Sequence, residues 1–225
     1  MSLRPAATRI KVSGITDPED ARLAVAAGVD MVACVFYARS PRYVTLPMAW
    51  AIRRELPVGV EMVGVFVDAP LPLVQQVVHH CALDHAQLFG GEPRAEVEAL
   101  RPHAFKALSV DQPDGVERLA RAYLGSRAGR LEAPAFMINL RRGARDAWAC
   151  VASTATRAPI LLASDALSIE SARAAIEAAR PWGVDVWEAV ERSPGRLDPK
   201  RLEAFVAAVR EADRALAEAA GGGGG

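Results

Sequence analysis

Met31-Val32-Ala33-Cys34-Val35-Phe36 and Pro159-Ile160-Leu161-Leu162-Ala163-Ser164 are apolar almost throughout and do not alternate with polar residues. A strand with one wet face alternates with a period of two. A run that is apolar on both sides suits a parallel strand whose sheet is covered by helices. Outward from these two runs, similar short β-branched or aromatic segments stand at Arg9–Ser13, Met62–Val67, His85–Phe89, Ala104–Ser109, Ala135–Leu140 and Val184–Val190. Between the runs lie stretches with helical spacing of apolar residues: Pro18–Ala27, Pro47–Leu56, Pro70–His80, Pro93–Leu100, Pro113–Tyr123, Arg145–Arg157, Ile169–Ala179 and Pro199–Ala219. Strand-then-helix units repeating at roughly twenty-five residues predict an α/β fold, a (β/α)8 barrel of eight parallel strands ringed by helices. An open doubly wound sheet is the rival. Its glycine-rich dinucleotide turn is missing from Ser13-Gly14-Ile15-Thr16, which favours the barrel.

Local signals sharpen the helix starts. Thr16 is expected to cap the first helix, with Glu19 as its capping-box carboxylate, and Ser168 to cap the seventh. Asp198 before Pro199 is an N-cap with proline at the first helical position.

Bulk properties bound the function. The 225 residues suit a single domain, taken as residues 1–220, with Gly221–Gly225 as a flexible tail. Lys and Arg total 27, as do Asp and Glu, so the formal net charge is zero and a nucleic-acid partner is not expected. No apolar run approaches the roughly twenty residues of a membrane span, and no apolar segment follows the N-terminal arginines. Cys34, Cys81 and Cys150 are scattered without CxxC spacing and read as reduced thiols of a cytoplasmic protein. The four histidines form no ligand pair, so neither a metal nor a cofactor is expected. The outer helix faces look ordinary, so the sequence leaves a protein partner open without locating one.

In such a barrel the site lies at the C-terminal ends of the strands. The sequence places Lys11, Ser13, Arg42, Asp68, Gln87, Lys106, Asn139, Asp165, Glu188 and Glu191 there, beside Phe36, Phe89 and Trp187. A polar mouth on an apolar barrel suggests a small polar ligand, and the cationic residues allow an anionic one. Any soluble barrel also carries polar groups at its rim, so this pattern alone does not decide the function.

The residues resemble the phosphoribosylanthranilate isomerase family of tryptophan biosynthesis. Ile10-Lys11-Val12-Ser13-Gly14-Ile15-Thr16 is similar to that family's opening strand and turn. Val35-Phe36-Tyr37, with Ser40-Pro41-Arg42-Tyr43-Val44, is similar to the second strand and its loop. Gly64-Val65-Phe66-Val67, Gln87-Leu88 and Pro181-Trp182-Gly183-Val184-Asp185-Val186 follow in the family's order, as do Val190-Glu191 and Pro194-Gly195. The resemblance implies an Amadori rearrangement of N-(5'-phosphoribosyl)anthranilate to 1-(o-carboxyphenylamino)-1-deoxyribulose 5-phosphate. It further implies an aspartate general acid ending strand six, a cysteine general base ending strand one, and an arginine after strand two that helps hold the substrate. The substrate's phosphate would rest on backbone N–H groups of glycine-rich turns after strands seven and eight.

Against that pattern the chain departs where the chemistry lies. Ser13 stands at the base position and Asn139 at the acid position; a hydroxyl is a weak base and an amide has no titrating proton to donate. The paired glycines after strand seven fall on Asp165 and Ala166. The Ser-Ser-Gly after strand eight falls on Trp187, Glu188 and Ala189. Two carboxylates repel a phosphate, and a tryptophan fills the volume it needs. Lys11, Arg42, Gln87, Lys106, Asp185 and Glu191 are kept, and the candidate binding residues are Lys11, Arg42, Gln87, Lys106, Asp165, Trp187 and Glu188. Three readings follow: a catalytically silent barrel with a repurposed pocket, an unusual but active isomerase, and a new activity on a ligand without phosphate.

Overall fold

The computed structural model describes residues 5–111, 115–124, 134–141 and 148–221. Eight parallel strands close on themselves in sequence order: β1 (Arg9–Ser13), β2 (Met31–Val35), β3 (Glu61–Phe66), β4 (His85–Leu88), β5 (Ala104–Val110), β6 (Phe136–Leu140), β7 (Ile160–Ser164) and β8 (Gly183–Val186). The helices between them are α1 (Pro18–Ala26), α2 (Leu46–Arg53), α3 (Leu71–His80), α4 (Arg94–Ala99), α5 (Gly115–Leu124), α6 (Trp148–Ala155) and α7 (Ala172–Ala179). A short hairpin, β9 (Glu191–Ser193) and β10 (Arg196–Leu197), leads into α8 (Pro199–Gly221). The expected barrel is therefore present. Gly221 ends α8, and the remaining glycines of the expected tail lie outside the described residues.

Parity along the strands separates two cores, because successive side chains point to opposite faces. Met31, Ala33, Val63, Val65, Phe105, Ala107, Met137, Leu161 and Ala163 fill the barrel interior. Their neighbours in sequence, such as Val32, Cys34, Phe136, Ile138 and Leu162, pack outward against the helices. Both faces are buried, which is why these strands carry no alternation. By the same parity Lys11, Ser13, Gln87, Asn139 and Asp185 stand on interior positions, whereas Lys106 shares the outward face of β5 with Ala104 and Leu108.

Three local expectations are corrected. Asp17, not Thr16, caps α1: its Oδ1 accepts from the Asp20 amide at 2.9 Å, while the Thr16 hydroxyl donates to the Gly195 carbonyl at 2.6 Å. At α7 the N-cap is Ser171, not Ser168, whose hydroxyl donates to Glu170 instead. The eighth strand stops at Val186, since Trp187 leaves the extended region (φ −141, ψ −78) and Glu188–Val190 forms a 3-10 turn. Asp198 caps α8 as expected, accepting from the amides of Lys200 and Arg201 at 3.0 and 3.1 Å.

Candidate functional site

At the C-terminal mouth lies a cavity of about 380 Å³. Ser13, Gln87, Asn139 and Asp185 supply much of its polar lining, and Val35, Val65, Phe89, Met137 and Trp187 much of its apolar lining. Ser13 and Asn139, the two positions for which the resemblance implies proton transfer, therefore face the same space.

Ser13 sits in a tight network. Register pairs Lys11 on β1 with Asp185 on β8, and two-residue periodicity places Ser13 on the same face as Lys11. Lys11 Nζ donates to Asp185 Oδ2 at 2.8 Å and to Ser13 Oγ at 2.7 Å, and Ser13 Oγ donates to Asp185 Oδ1 at 2.8 Å. Lys11 is wholly buried. Burial pushes its ammonium below the usual lysine range, and the Asp185 carboxylate partly offsets this. The sequence reading names Lys11 as a binding residue but not as the partner of Ser13. Two positions along a strand mean one face, and that spacing was the available signal.

Asn139 pairs with Ser109 and Ala163 across β6. Its Oδ1, like Oε1 of Gln87, is buried without a hydrogen-bond partner. Asn139 is 6% and Gln87 3% exposed.

Arg42 is clamped. Its Nε and Nη2 donate to the two Glu191 carboxylate oxygens at 2.7 and 2.5 Å, and Glu188 Oε1 lies 3.6 Å from Nη2. These Glu191 hydrogen bonds hold the guanidinium above its ordinary pKa, against the opposing pull of burial. Gly14 makes the crossing possible: it has φ +88, and a Cβ there would lie 2.5 Å from Arg42 Cδ. Glu191 is fixed in turn by the Gly195 amide at 2.9 Å.

Lys106 lies outside this cavity. Its Nζ donates to the Leu88 and Gly90 carbonyls at 3.0 and 2.5 Å and to Glu92 Oε2 at 2.8 Å, which uses all three ammonium hydrogens. Glu92 also accepts from the Asp68 and Gly90 amides, so the pair ties the loop after β3 to the loop after β4. Sequence inspection did not single out Glu92. Phe36 likewise turns from the mouth and stacks on Phe66 at 5.3 Å.

Beyond Trp187 a second cleft of about 290 Å³ opens between the ends of β7 and β8, lined by Ser164, Asp165, Leu167, Ser168, Val186, Trp187, Glu188 and Ala189. Asp165 is exposed, and the Glu188 side chain is 74% exposed. Among the described residues no cationic side chain lines this cleft. Arg141 is exposed at the end of β6, and the rest of the basic stretch to Arg145 lies outside the described residues. Among the described residues no cluster of three His, Cys, Asp or Glu could hold a metal ion, and no helix is long and apolar enough to cross a membrane.

Residues 10–208 match the family model for N-(5'-phosphoribosyl)anthranilate (PRA) isomerase. The chain belongs to the phosphoribosylanthranilate isomerase family. It is 38% identical over 206 residues to N-(5'-phosphoribosyl)anthranilate isomerase of Pseudomonas putida W619, covering 91% of this chain and 98% of that one. The Myxococcus xanthus DK1622 isomerase is 37% identical over 204 residues, covering 90% and 96%. Among solved structures, the phosphoribosyl anthranilate isomerase of Thermotoga maritima superposes with a TM-score of 0.81 at 30% identity, covering 91% of this chain and 99% of that one. A phosphoribosyl anthranilate isomerase in complex with reduced 1-(o-carboxyphenylamino)-1-deoxyribulose 5-phosphate superposes with a TM-score of 0.78, also at 30% identity and with the same coverage.

Proposed function

We propose that this member of the isomerase family no longer performs the Amadori rearrangement of its relatives, and that its mouth cavity holds a small molecule without a phosphate group. The observation that carries the reading is the cleft between β7 and β8. Where the family's glycine-rich turns would meet a phosphate, Trp187 forms a wall and Asp165 and Glu188 place two carboxylates, with no cationic lining residue among the described residues to oppose them. The proton-transfer positions point the same way. Asn139 has no acidic proton, and the Ser13 hydroxyl is engaged with Lys11 and Asp185. The three free cysteines suit a cytoplasmic protein beside the family's pathway.

One observation favours a second reading, an active isomerase with a relocated base. The Asp185 carboxylate lines the cavity and sits 2.8 Å from Ser13 Oγ, close enough to receive a proton through it.

Calorimetric titration with the reduced product analogue that a relative binds separates the two. No heat of binding is expected at millimolar analogue. Micromolar binding would overturn the first reading and favour the second.

A further inference from the structure

We propose that the mouth cavity binds a neutral aromatic molecule through a carbonyl oxygen, which accepts hydrogen bonds from the side-chain amides of Asn139 and Gln87. This rests on the reading that the site no longer serves a phosphorylated substrate, and it names the ligand class that replaces one.

Parity puts both amides inside the barrel. Gln87 on β4 and Asn139 on β6 stand on interior positions, line the cavity and are 3% and 6% exposed. In each, the carbonyl oxygen is sealed off without a partner. Each amide nitrogen also lacks a hydrogen-bond partner among the described residues, and it is the end left open to the cavity. Buried N–H groups that meet only the cavity carry a desolvation penalty that an acceptor relieves. A carbonyl oxygen, with two lone pairs and no proton, is such an acceptor.

The same wall favours a neutral acceptor over a carboxylate. Asn139 pairs in register with Ala163, and Ala163 with Asp185, so only the Ala163 methyl stands between the amide and that carboxylate along the row. Asp185 is already matched by Lys11 at 2.8 Å. A carboxylate seated here would bring a charge that neither the amides nor the ion pair answers, whereas a ketone, ester or amide oxygen needs only their dipoles. Val65, Phe89, Met137 and Trp187 offer apolar walls for the rest of the ligand, and two of them are aromatic surfaces against which a ring can stack. A cavity of about 380 Å³ is within the usual size for a small-molecule site.

The test uses the full chain and three probes of similar shape in calorimetry: acetophenone, 1-phenylethylamine and benzoate. Acetophenone is expected to bind with a sub-millimolar Kd, at least about tenfold more tightly than either of the others. Asn139→Leu and Gln87→Leu keep the bulk of the side chain, remove its N–H donors and break no hydrogen bond among the described residues. Each should weaken acetophenone by about tenfold. Thermal melts show whether each variant is folded; should one unfold, the order of the three probes on the unaltered chain decides. Equal or tighter binding of the amine would show the amide oxygens turned to the ligand, and equal or tighter binding of benzoate would show a charge that is answered; either overturns the inference. So would no acetophenone binding at millimolar concentration, or unchanged affinity in both folded variants. Micromolar binding of the reduced phosphorylated analogue would overturn the underlying reading instead, so the two failures are distinguishable.

Discussion

Ser13 donates to Asp185 at 2.8 Å while accepting from Lys11 at 2.7 Å, so its hydroxyl completes a buried ion pair. Removing the hydroxyl leaves the two charges paired. Ser13→Ala is therefore expected to cost about 1 kcal/mol. Asp185→Ala strands the Lys11 ammonium without its partner and is expected to cost about 3–5 kcal/mol. Urea unfolding of both variants checks this, and equal losses would show that the hydroxyl matters as much as the ion pair.

Lys106 serves the loops after β3 and β4 rather than the ligand. Lys106→Met leaves Glu92, which is 4% exposed, without its counter-charge, and is expected to destabilise the fold by about 3–5 kcal/mol. Adding Glu92→Gln to Lys106→Met should recover part of that loss, because the stranded charge disappears. Denaturant melts of the single and double variants measure the difference. A double variant no more stable than the single would contradict the pairing.

Asp20 is wholly buried, and its Oδ1 has no hydrogen-bond partner. Burial raises its carboxyl above the ordinary 3.8, with the Leu197 amide pulling the other way. A carboxyl raised on folding binds its proton more readily in the native chain than in the unfolded one. Its contribution is thus complete below the unfolded value and is lost as pH rises through the native one. Asp20→Asn removes this dependence. The melting temperature of the unaltered chain relative to Asp20→Asn should fall as pH rises above the ordinary carboxyl value of 3.8. A difference that is flat or rises would contradict the assignment.

Restoring the proton-transfer pair should restore only part of the family reaction. Asn139→Asp with Ser13→Cys supplies an acid and a thiol, each worth about a hundred- to ten-thousandfold in rate. KM should nevertheless stay high while Trp187, Asp165 and Glu188 remain at the ends of β7 and β8. Adding Trp187→Ser is expected to lower KM by about tenfold, the worth of one charge-assisted hydrogen bond. Steady-state kinetics of the double and triple variants would show this, and a low KM already in the double variant would contradict it.

The barrel was legible because both faces of each strand are buried, so runs such as those in β2 and β7 stay apolar from end to end. Element ends were less legible where a side chain chose among near-equal partners. Thr16 bonds across to Gly195 and leaves the cap to Asp17, a choice made by the distant hairpin. The site positions Ser13, Gln87, Asn139 and Trp187 were found from their places at strand ends, and all line the cavity. The sequence reading places Lys106 at a strand end among the residues kept from the family's pattern, and so with the ligand. Strand parity shows it facing outward, and that parity was present in the alternation of Ala104, Lys106 and Leu108 against Phe105 and Ala107. The clamp of Glu191 and Glu188 on Arg42 was not legible, because it depends on how the loop after β2 meets the turn after β8.

Loss of the fluorescence of N-(5'-phosphoribosyl)anthranilate, followed with purified protein, is the most direct measurement. With Asn139 and Ser13 in place of the acid and base, the rate should equal that of a protein-free control. A rate above that control, abolished by Asp185→Asn, would contradict the loss of the reaction and identify Asp185 as its relocated base.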